Sequence, residues 1–142
     1  MEARSPRVAD VKVLTYGVIM TATSSGPDFI ALQVRDVEKA ALFYEDHLGL
    51  PRAATSPPGA VVFTTKPIPF AVREPLPGVD LDPSQQPGVG VSLWFPTGDA
   101  QLLHDRLVEA GIRIVKPIED GPFGRTFTLL DPMGYAITMH QV

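Results

Sequence analysis

The sequence contains no cysteine, and this absence excludes several kinds of chemistry at once. Without thiols the chain has no disulfide framework, no thiolate metal site and no cysteine nucleophile. The sequence also lacks a long apolar run, because its best candidate, residues 11–23, is too short and too polar to span a bilayer. Mixed charges precede this stretch and no clean small-residue cleavage site follows it, unlike an export signal. We therefore expect a cytoplasmic protein with no membrane partner.

Basic residues are also few and scattered. The 12 lysines and arginines stand against 16 acidic residues, which gives a formal charge of -4. Proteins that grip a phosphate backbone cluster their basic side chains, so this balance argues against a nucleic-acid partner. The 142 residues are enough for one domain that buries its own core.

Two segments of the chain resemble each other. Residues 29–50 read "FIALQVRDVEKAALFYEDHLGL" and residues 92–112 read "SLWFPTGDAQLLHDRLVEAGI". Each predicts a strand followed by a helix, with Asp36 or Asp99 placed to accept hydrogen bonds from the first turn. Each helix is predicted to end at a glycine that adopts the left-handed conformation: Gly49 and Gly111.

Short strand-like runs follow each predicted helix, and most of the 15 prolines lie in the gaps between them. We therefore predict an α+β fold in which two tandem βαβββ modules form a half-open curved barrel with the helices outside. The predicted organisation is an N-terminal tail or extra strand (1–28) and a single domain (29–142), with module one (29–75), a linker (75–88) and module two (89–140). The inner face of such a barrel is a natural pocket.

The segment "DVEKAALFYEDHLGL" and the closing "DPMGY" resemble the vicinal oxygen chelate superfamily, which includes glyoxalases, bleomycin resistance proteins and extradiol dioxygenases. In metal-dependent members, the resemblance implies His, Glu or Gln ligands on the first and last strands of the modules. The matching positions here are Phe29, Ser92 and Thr138. Phe29 has no donor atom and neutral hydroxyls are poor ligands for divalent ions, so we expect no metal site and no cofactor.

Side-chain alternation predicts which residues of the first strands face the pocket. It directs Phe29 and Gln33 inward in module one, and Ser92 and Trp94 inward in module two. Trp94 offers a flat ring for a planar or cationic ligand, although ordinary core packing is the alternative interpretation. The Gln33 amide needs polar partners if it is buried, and a ligand can supply them.

The last two predicted strands add further candidates. His140 shares a strand face with Thr138 and is predicted to contact a ligand, accept a proton, or close the barrel end with a bound water. The loop "EDGPFGRTF" resembles a mobile cover, in which Phe123 and Arg125 close over a guest. The alternative for Arg125 is a surface ion pair with Glu119 or Asp120.

The sequence thus predicts a metal-independent protein that binds a small aromatic or hydrophobic molecule, such as an antibiotic, and sequesters it. The resemblance implies a homodimer in which two chains build two pockets. The alternative is a lyase, isomerase or dioxygenase-like enzyme, which either holds a metal through displaced ligands or tailors a natural product without metal. His140 would then act as acid or base, and the sequence nominates no nucleophile for a covalent mechanism.

Overall fold

The structure is a computed structural model that describes residues 11–13 and 19–142, with side chains described from residue 22 onward. The prediction for residues 1–28 lies partly outside these residues. Within the described part of that segment, β1 (Val11–Val13) and β2 (Ile19–Thr21) pair as an antiparallel two-stranded sheet. A helix long and apolar enough to cross a membrane is absent from the described residues.

Module one consists of β3 (Ile30–Gln33), α1 (Val37–Asp46), β4 (Ala60–Phe63) and β5 (Phe70–Arg73). Its three-stranded sheet has the order β3-β5-β4, with β3 parallel to β5 and β4 antiparallel to it. The additional strand expected after α1 is reduced to one bridge, in which Arg52 pairs with Phe63. Prolines at positions 51, 57 and 58 surround this bridge and lack the N–H groups that would extend it.

Module two is a complete βαβββ unit. Its elements are β6 (Leu93–Thr97), α2 (Ala100–Glu109), β7 (Ile114–Gly121), β8 (Gly124–Leu130) and β9 (Ala136–Gln141). The sheet has the order β6-β9-β8-β7, and β6 runs parallel to β9. The predicted α+β class is therefore confirmed, and the two described sheets of three and four strands stay open instead of closing into a barrel.

Both helices begin where the sequence predicts. The C-cap of α2, Ala110, directly precedes Gly111, whereas the C-cap of α1, His47, lies two residues before Gly49. The Asp36 carboxylate accepts a hydrogen bond from the backbone N–H of Lys39 at 3.1 Å, and the Asp99 carboxylate accepts one from Leu102 at 3.0 Å. Gly49 and Gly111 follow the helices with φ angles of 71° and 78°, a region that favours glycine. These two caps fix the repeated strand-helix geometry of the modules.

A shared aromatic core joins the two modules. The ring of Tyr44 on α1 lies 4.9 Å from that of Phe70 on β5, and Phe70 lies 5.5 Å from Phe95 on β6. Tyr44 and Phe70 are buried, and Phe95 is half-buried. Edge-to-face contacts of this kind add to the apolar area that they bury. The junction between the modules is therefore a packed interface at this point.

The second sheet has a helix-facing side and a helix-free side. Phe95, Met139 and Phe127 lie opposite one another across β6, β9 and β8, so they share one side of the sheet. His104 of α2 packs its ring edge-on against Phe127 at 5.3 Å, which identifies this side as the one that faces α2. Side chains one residue away along each strand, such as Trp94, consequently lie on the helix-free side.

A buried carboxylate ties α1 to the turn between β8 and β9. The Tyr44 hydroxyl donates to one oxygen of Asp131 at 2.6 Å, and the other oxygen accepts three backbone N–H bonds of 2.9 Å, from Met133, Gly134 and Tyr135. Burial raises the pKa of Asp131, although these donors favour its charged form. Burial, and then the neighbouring Asp131, raises the pKa of Tyr44. The Asp-Pro-x-Gly turn thus holds module two against module one.

Candidate functional site

Trp94 lies on the helix-free side of the second sheet with 46% of its surface exposed. Its indole N–H donates to the Ser92 hydroxyl at 2.7 Å, which fixes the orientation of the ring. The Phe123 ring meets it edge-on at 5.9 Å, and the His140 ring lies 5.8 Å away. We call these four residues the Trp94 cluster. The cluster presents a flat aromatic surface whose position is set by its neighbours.

Thr138 joins the same side of the sheet. It lies directly opposite Trp94 in the register of β6 and β9, and its hydroxyl is 2.9 Å from the Thr128 hydroxyl. The structure therefore brings together five of the eight sequence-predicted site residues. These are Ser92, Trp94, Phe123, Thr138 and His140.

The two predicted site residues of module one have other surroundings. Phe29 precedes β3 and exposes 49% of its surface. The Gln33 side-chain oxygen accepts a hydrogen bond from the backbone N–H of Leu76 at 2.8 Å. Gln33 is half-buried, and the segment that follows β5 supplies a partner for its side-chain oxygen.

Arg125 does not join the Trp94 cluster. Its neighbour Thr126 pairs with His140 on the helix-free side, and alternation turns Arg125 toward α2. There its guanidinium donates to Asp120 at 2.9 Å and reaches Gln101 of α2 at 3.5 Å. The Asp120 pair holds the pKa of Arg125 above its ordinary value. Arg125 therefore forms the surface ion pair that was the alternative to a role in covering the pocket, with Asp120 as its partner.

An apolar pocket of about 490 Å³ lies where the two modules meet, between β3 and β6, which are edge strands of their sheets. We call it the intermodule pocket. The segment that follows α1 and the β4–β5 loop, residues 64–69, complete its wall. Its lining residues are Ile30, Leu48, Leu50, Pro51, Thr64, Thr65, Lys66, Pro67, Ile68, Pro69, Phe70, Trp94, Phe95, Pro96 and Met139. This volume is in the usual range for small-molecule sites.

Trp94 belongs both to the Trp94 cluster and to the wall of the intermodule pocket. The sequence prediction identified Trp94 but missed the helix-side residues of the pocket, such as Phe70, Phe95 and Met139. Alternation along each strand does place Phe95 on the helix side. Alternation gives no information about the gap between β3 and β6. This gap makes the helix-facing side of the second sheet accessible where the modules meet.

The three positions that the family resemblance matches to metal ligands carry side chains that suit a divalent ion poorly. The Ser92 hydroxyl accepts the indole N–H of Trp94, and the Thr138 hydroxyl is bonded to Thr128. Phe29 provides no donor atom. In the part of the chain that the structure describes, no group of three or more His, Asp or Glu side chains is placed to hold an ion. The donor set therefore lacks the imidazole and carboxylate groups that such an ion requires.

The repeated strand-helix modules, the open sheets and the pocket at their junction define a two-module α+β protein with a site of small-molecule size. The chain belongs to the Glyoxalase/Bleomycin resistance protein/Dioxygenase superfamily, whose family model matches residues 26–139. This match confirms the family that the motifs around α1 and the β8–β9 turn indicate. A search of the curated proteins found no significant match.

Solved structures with the same fold include proteins of different activity. A glyoxalase-related enzyme from Fulvimarina pelagi is 21% identical, with a TM-score of 0.68 and coverage of 84% of this chain and 89% of that one. The antibiotic binding protein TnmS3 from Streptomyces sp. CB03234 is 26% identical, with a TM-score of 0.62 and coverage of 83% and 96%. A lactoylglutathione lyase from Agrobacterium tumefaciens is 18% identical, with a TM-score of 0.59 and coverage of 83% and 94%. The first and third comparisons show the fold alone.

Proposed function

We propose that this chain is a metal-independent binding protein that sequesters a small aromatic or hydrophobic molecule, such as an antibiotic. The observation that carries this proposal is the position of Trp94. Its half-exposed indole forms part of the wall of an apolar pocket of about 490 Å³ between the modules.

The chemistry of the pocket favours a flat, apolar guest. Phe70, Phe95 and Met139 supply aromatic and thioether surface, and Trp94 supplies a further ring. A planar ligand between these groups gains stacking and dispersion contacts while it removes apolar surface from water. The hydrogen bond from Trp94 to Ser92 orients the indole in advance, which lowers the entropy lost on binding.

The likeness to TnmS3, an antibiotic binding protein, supports this proposal. That protein shares the two-module fold over 83% of this chain at 26% identity. Because one fold hosts many activities, the argument for binding rests on the pocket and the comparison supports it only as an analogy.

Titration of the protein with a panel of flat aromatic compounds tests the proposal directly. Trp94 is the single tryptophan, so its fluorescence reports on this wall of the pocket without interference from another indole. We expect saturable quenching by at least one polycyclic aromatic compound, with a stoichiometry of one per chain. A panel that produces no saturable change in emission would contradict the proposed function.

Two controls belong to this titration. Addition of a strong chelator should leave the measured affinity unchanged, because the proposed contacts involve no metal ion. The bound compound should also be recovered chemically intact, as judged by mass spectrometry after prolonged incubation. Loss of binding with the chelator, or conversion of the compound, would favour an enzyme of this fold instead.

We further propose that the protein is a homodimer in which the helix-free sides of the sheets contribute to the contact. Phe29, Trp94 and Phe123 expose 49%, 46% and 70% of their surfaces, and large exposed rings of this kind favour burial by a partner. Light scattering should therefore give a mass of twice 15.3 kDa. Phe123→Glu should shift the mass toward that of one chain, and a single-chain mass for the unaltered protein at every concentration would refute the dimer.

A further inference from the structure

The rim of the intermodule pocket carries one charged group. Lys66 lies in the β4–β5 loop and is the one charged residue in the described lining, which contains no acidic side chain. Among residues 22–142, whose side chains the structure describes, Lys66 makes no salt bridge, unlike Lys116, which pairs with Glu119 at 3.0 Å. The ammonium of Lys66 is thus exposed and free to meet a guest.

The other polar groups of the pocket have little capacity to donate. The Thr64 hydroxyl donates to the Pro51 carbonyl at 3.4 Å, and the Thr65 hydroxyl donates to the Ile68 carbonyl at 2.6 Å. The lining also includes four prolines, which have no N–H group: Pro51, Pro67, Pro69 and Pro96. Lys66 therefore supplies the strongest side-chain donor available to a polar substituent of the guest.

We infer that the ligand is a planar aromatic anion, such as an aromatic carboxylate, whose ring occupies the apolar interior while its charge meets Lys66. This inference rests on the proposed binding function and specifies its ligand class. A charge-assisted hydrogen bond from the exposed Lys66 ammonium adds a modest amount to the ring contacts. A neutral analogue gains the ring contacts alone, and a cationic analogue meets repulsion from the same ammonium.

Three probes that share one ring system test this inference by calorimetric titration. They are 2-naphthoate, 2-naphthylmethanol and 2-naphthylmethylammonium, which carry a negative, neutral and positive group. We expect 2-naphthoate to bind about 5- to 10-fold more tightly than the alcohol, and the ammonium compound to bind most weakly. The preference for the acid should shrink as salt is raised, because mobile ions screen an exposed pair.

Substitution of the lysine identifies the group responsible. Lys66→Gln should weaken 2-naphthoate binding to about the level of the alcohol and leave alcohol binding unchanged. The matched control is Lys39→Gln, because Lys39 is an exposed lysine on α1 that does not line the intermodule pocket. Lys39→Gln should retain the full preference for 2-naphthoate over the alcohol. Both variants should unfold at temperatures close to that of the unaltered protein.

The outcomes separate the inference from the proposal on which it depends. If the acid and the alcohol bind equally, or if Lys66→Gln keeps the preference, the anion inference is overturned while small-molecule binding stands. If none of the three probes binds and the wider aromatic panel also fails, the proposed function is overturned together with it. Tighter binding of the acid that disappears only in Lys66→Gln supports both.

Discussion

Asp131→Ala should lower the free energy of unfolding by about 3–4 kcal/mol, which corresponds to a fall of roughly 10 °C in the unfolding temperature. Asp131 is 5% exposed, and its carboxylate accepts four hydrogen bonds, from the Tyr44 hydroxyl and from three backbone N–H groups. Alanine leaves these donors without their acceptor, and a buried donor that loses its partner retains the full cost of desolvation. Chemical denaturation followed by circular dichroism measures the change.

Two further variants show how much of this loss comes from the Tyr44 bond and whether it is specific to Asp131. Tyr44→Phe removes only the hydroxyl and leaves the three backbone bonds of Asp131, so we expect the free energy of unfolding to fall by about 1–2 kcal/mol. Asp46→Ala is the matched control, because Asp46 is an exposed aspartate at the end of α1 and should change stability by no more than about 0.5 kcal/mol. A loss in Asp131→Ala that is no larger than that in Asp46→Ala would show that the turn does not hold the modules together.

The same turn illustrates how much of the fold is predictable from the sequence. The Asp-Pro-x-Gly motif predicts a turn at Asp131. The repeated Asp positions predict the starts of α1 and α2, and Gly111 predicts the end of α2, because capping depends on neighbouring residues. The bond from Tyr44 to Asp131 joins residues 87 positions apart. A contact of this kind depends on how the modules pack, and no local pattern in the chain encodes it.

The strand after α1 marks another limit of sequence reasoning. The repeat predicts three strands there, and module two has them, but module one retains two strands and the Arg52 bridge. The prolines at positions 51, 57 and 58 are a readable signal against a full strand, since each removes a donor from the ladder. The repeat therefore predicts one strand too many in module one, whereas the prolines correctly indicate that this strand is not formed in full.

The candidate site also combines features that local sequence predicts with features that it does not. Alternation along one strand correctly places Trp94 and Thr138 on one side of the second sheet, because this property is local to β6 and β9. It does not reveal that Trp94 also borders a cavity with Phe70 and Lys66 of the other module. That arrangement depends on the separation of two sheet edges, so it becomes visible only in three dimensions.

Trp94→Ala should weaken the binding of a flat aromatic ligand by about 10- to 100-fold, or roughly 1.4–2.8 kcal/mol. The indole is the one large aromatic surface that the second sheet's helix-free side contributes to the pocket wall, and alanine removes both its stacking face and its apolar area. The variant should remain folded, because 46% of the Trp94 surface is exposed within one chain and its removal opens little of the core. Calorimetric titration is the measurement, since the variant has no tryptophan fluorescence.

Two neighbouring variants show whether the effect is due to stacking in the pocket. Trp94→Phe retains an aromatic ring but loses the hydrogen bond to Ser92, so its affinity should lie between those of the unaltered protein and Trp94→Ala. Phe123→Ala removes a ring that touches Trp94 but does not line the pocket, and it should reduce affinity by about 3-fold or less. Equal losses in Trp94→Ala and Phe123→Ala would instead place the ligand on the exposed Trp94 cluster, outside the pocket. An unchanged affinity in Trp94→Ala would remove the observation on which the proposed function rests.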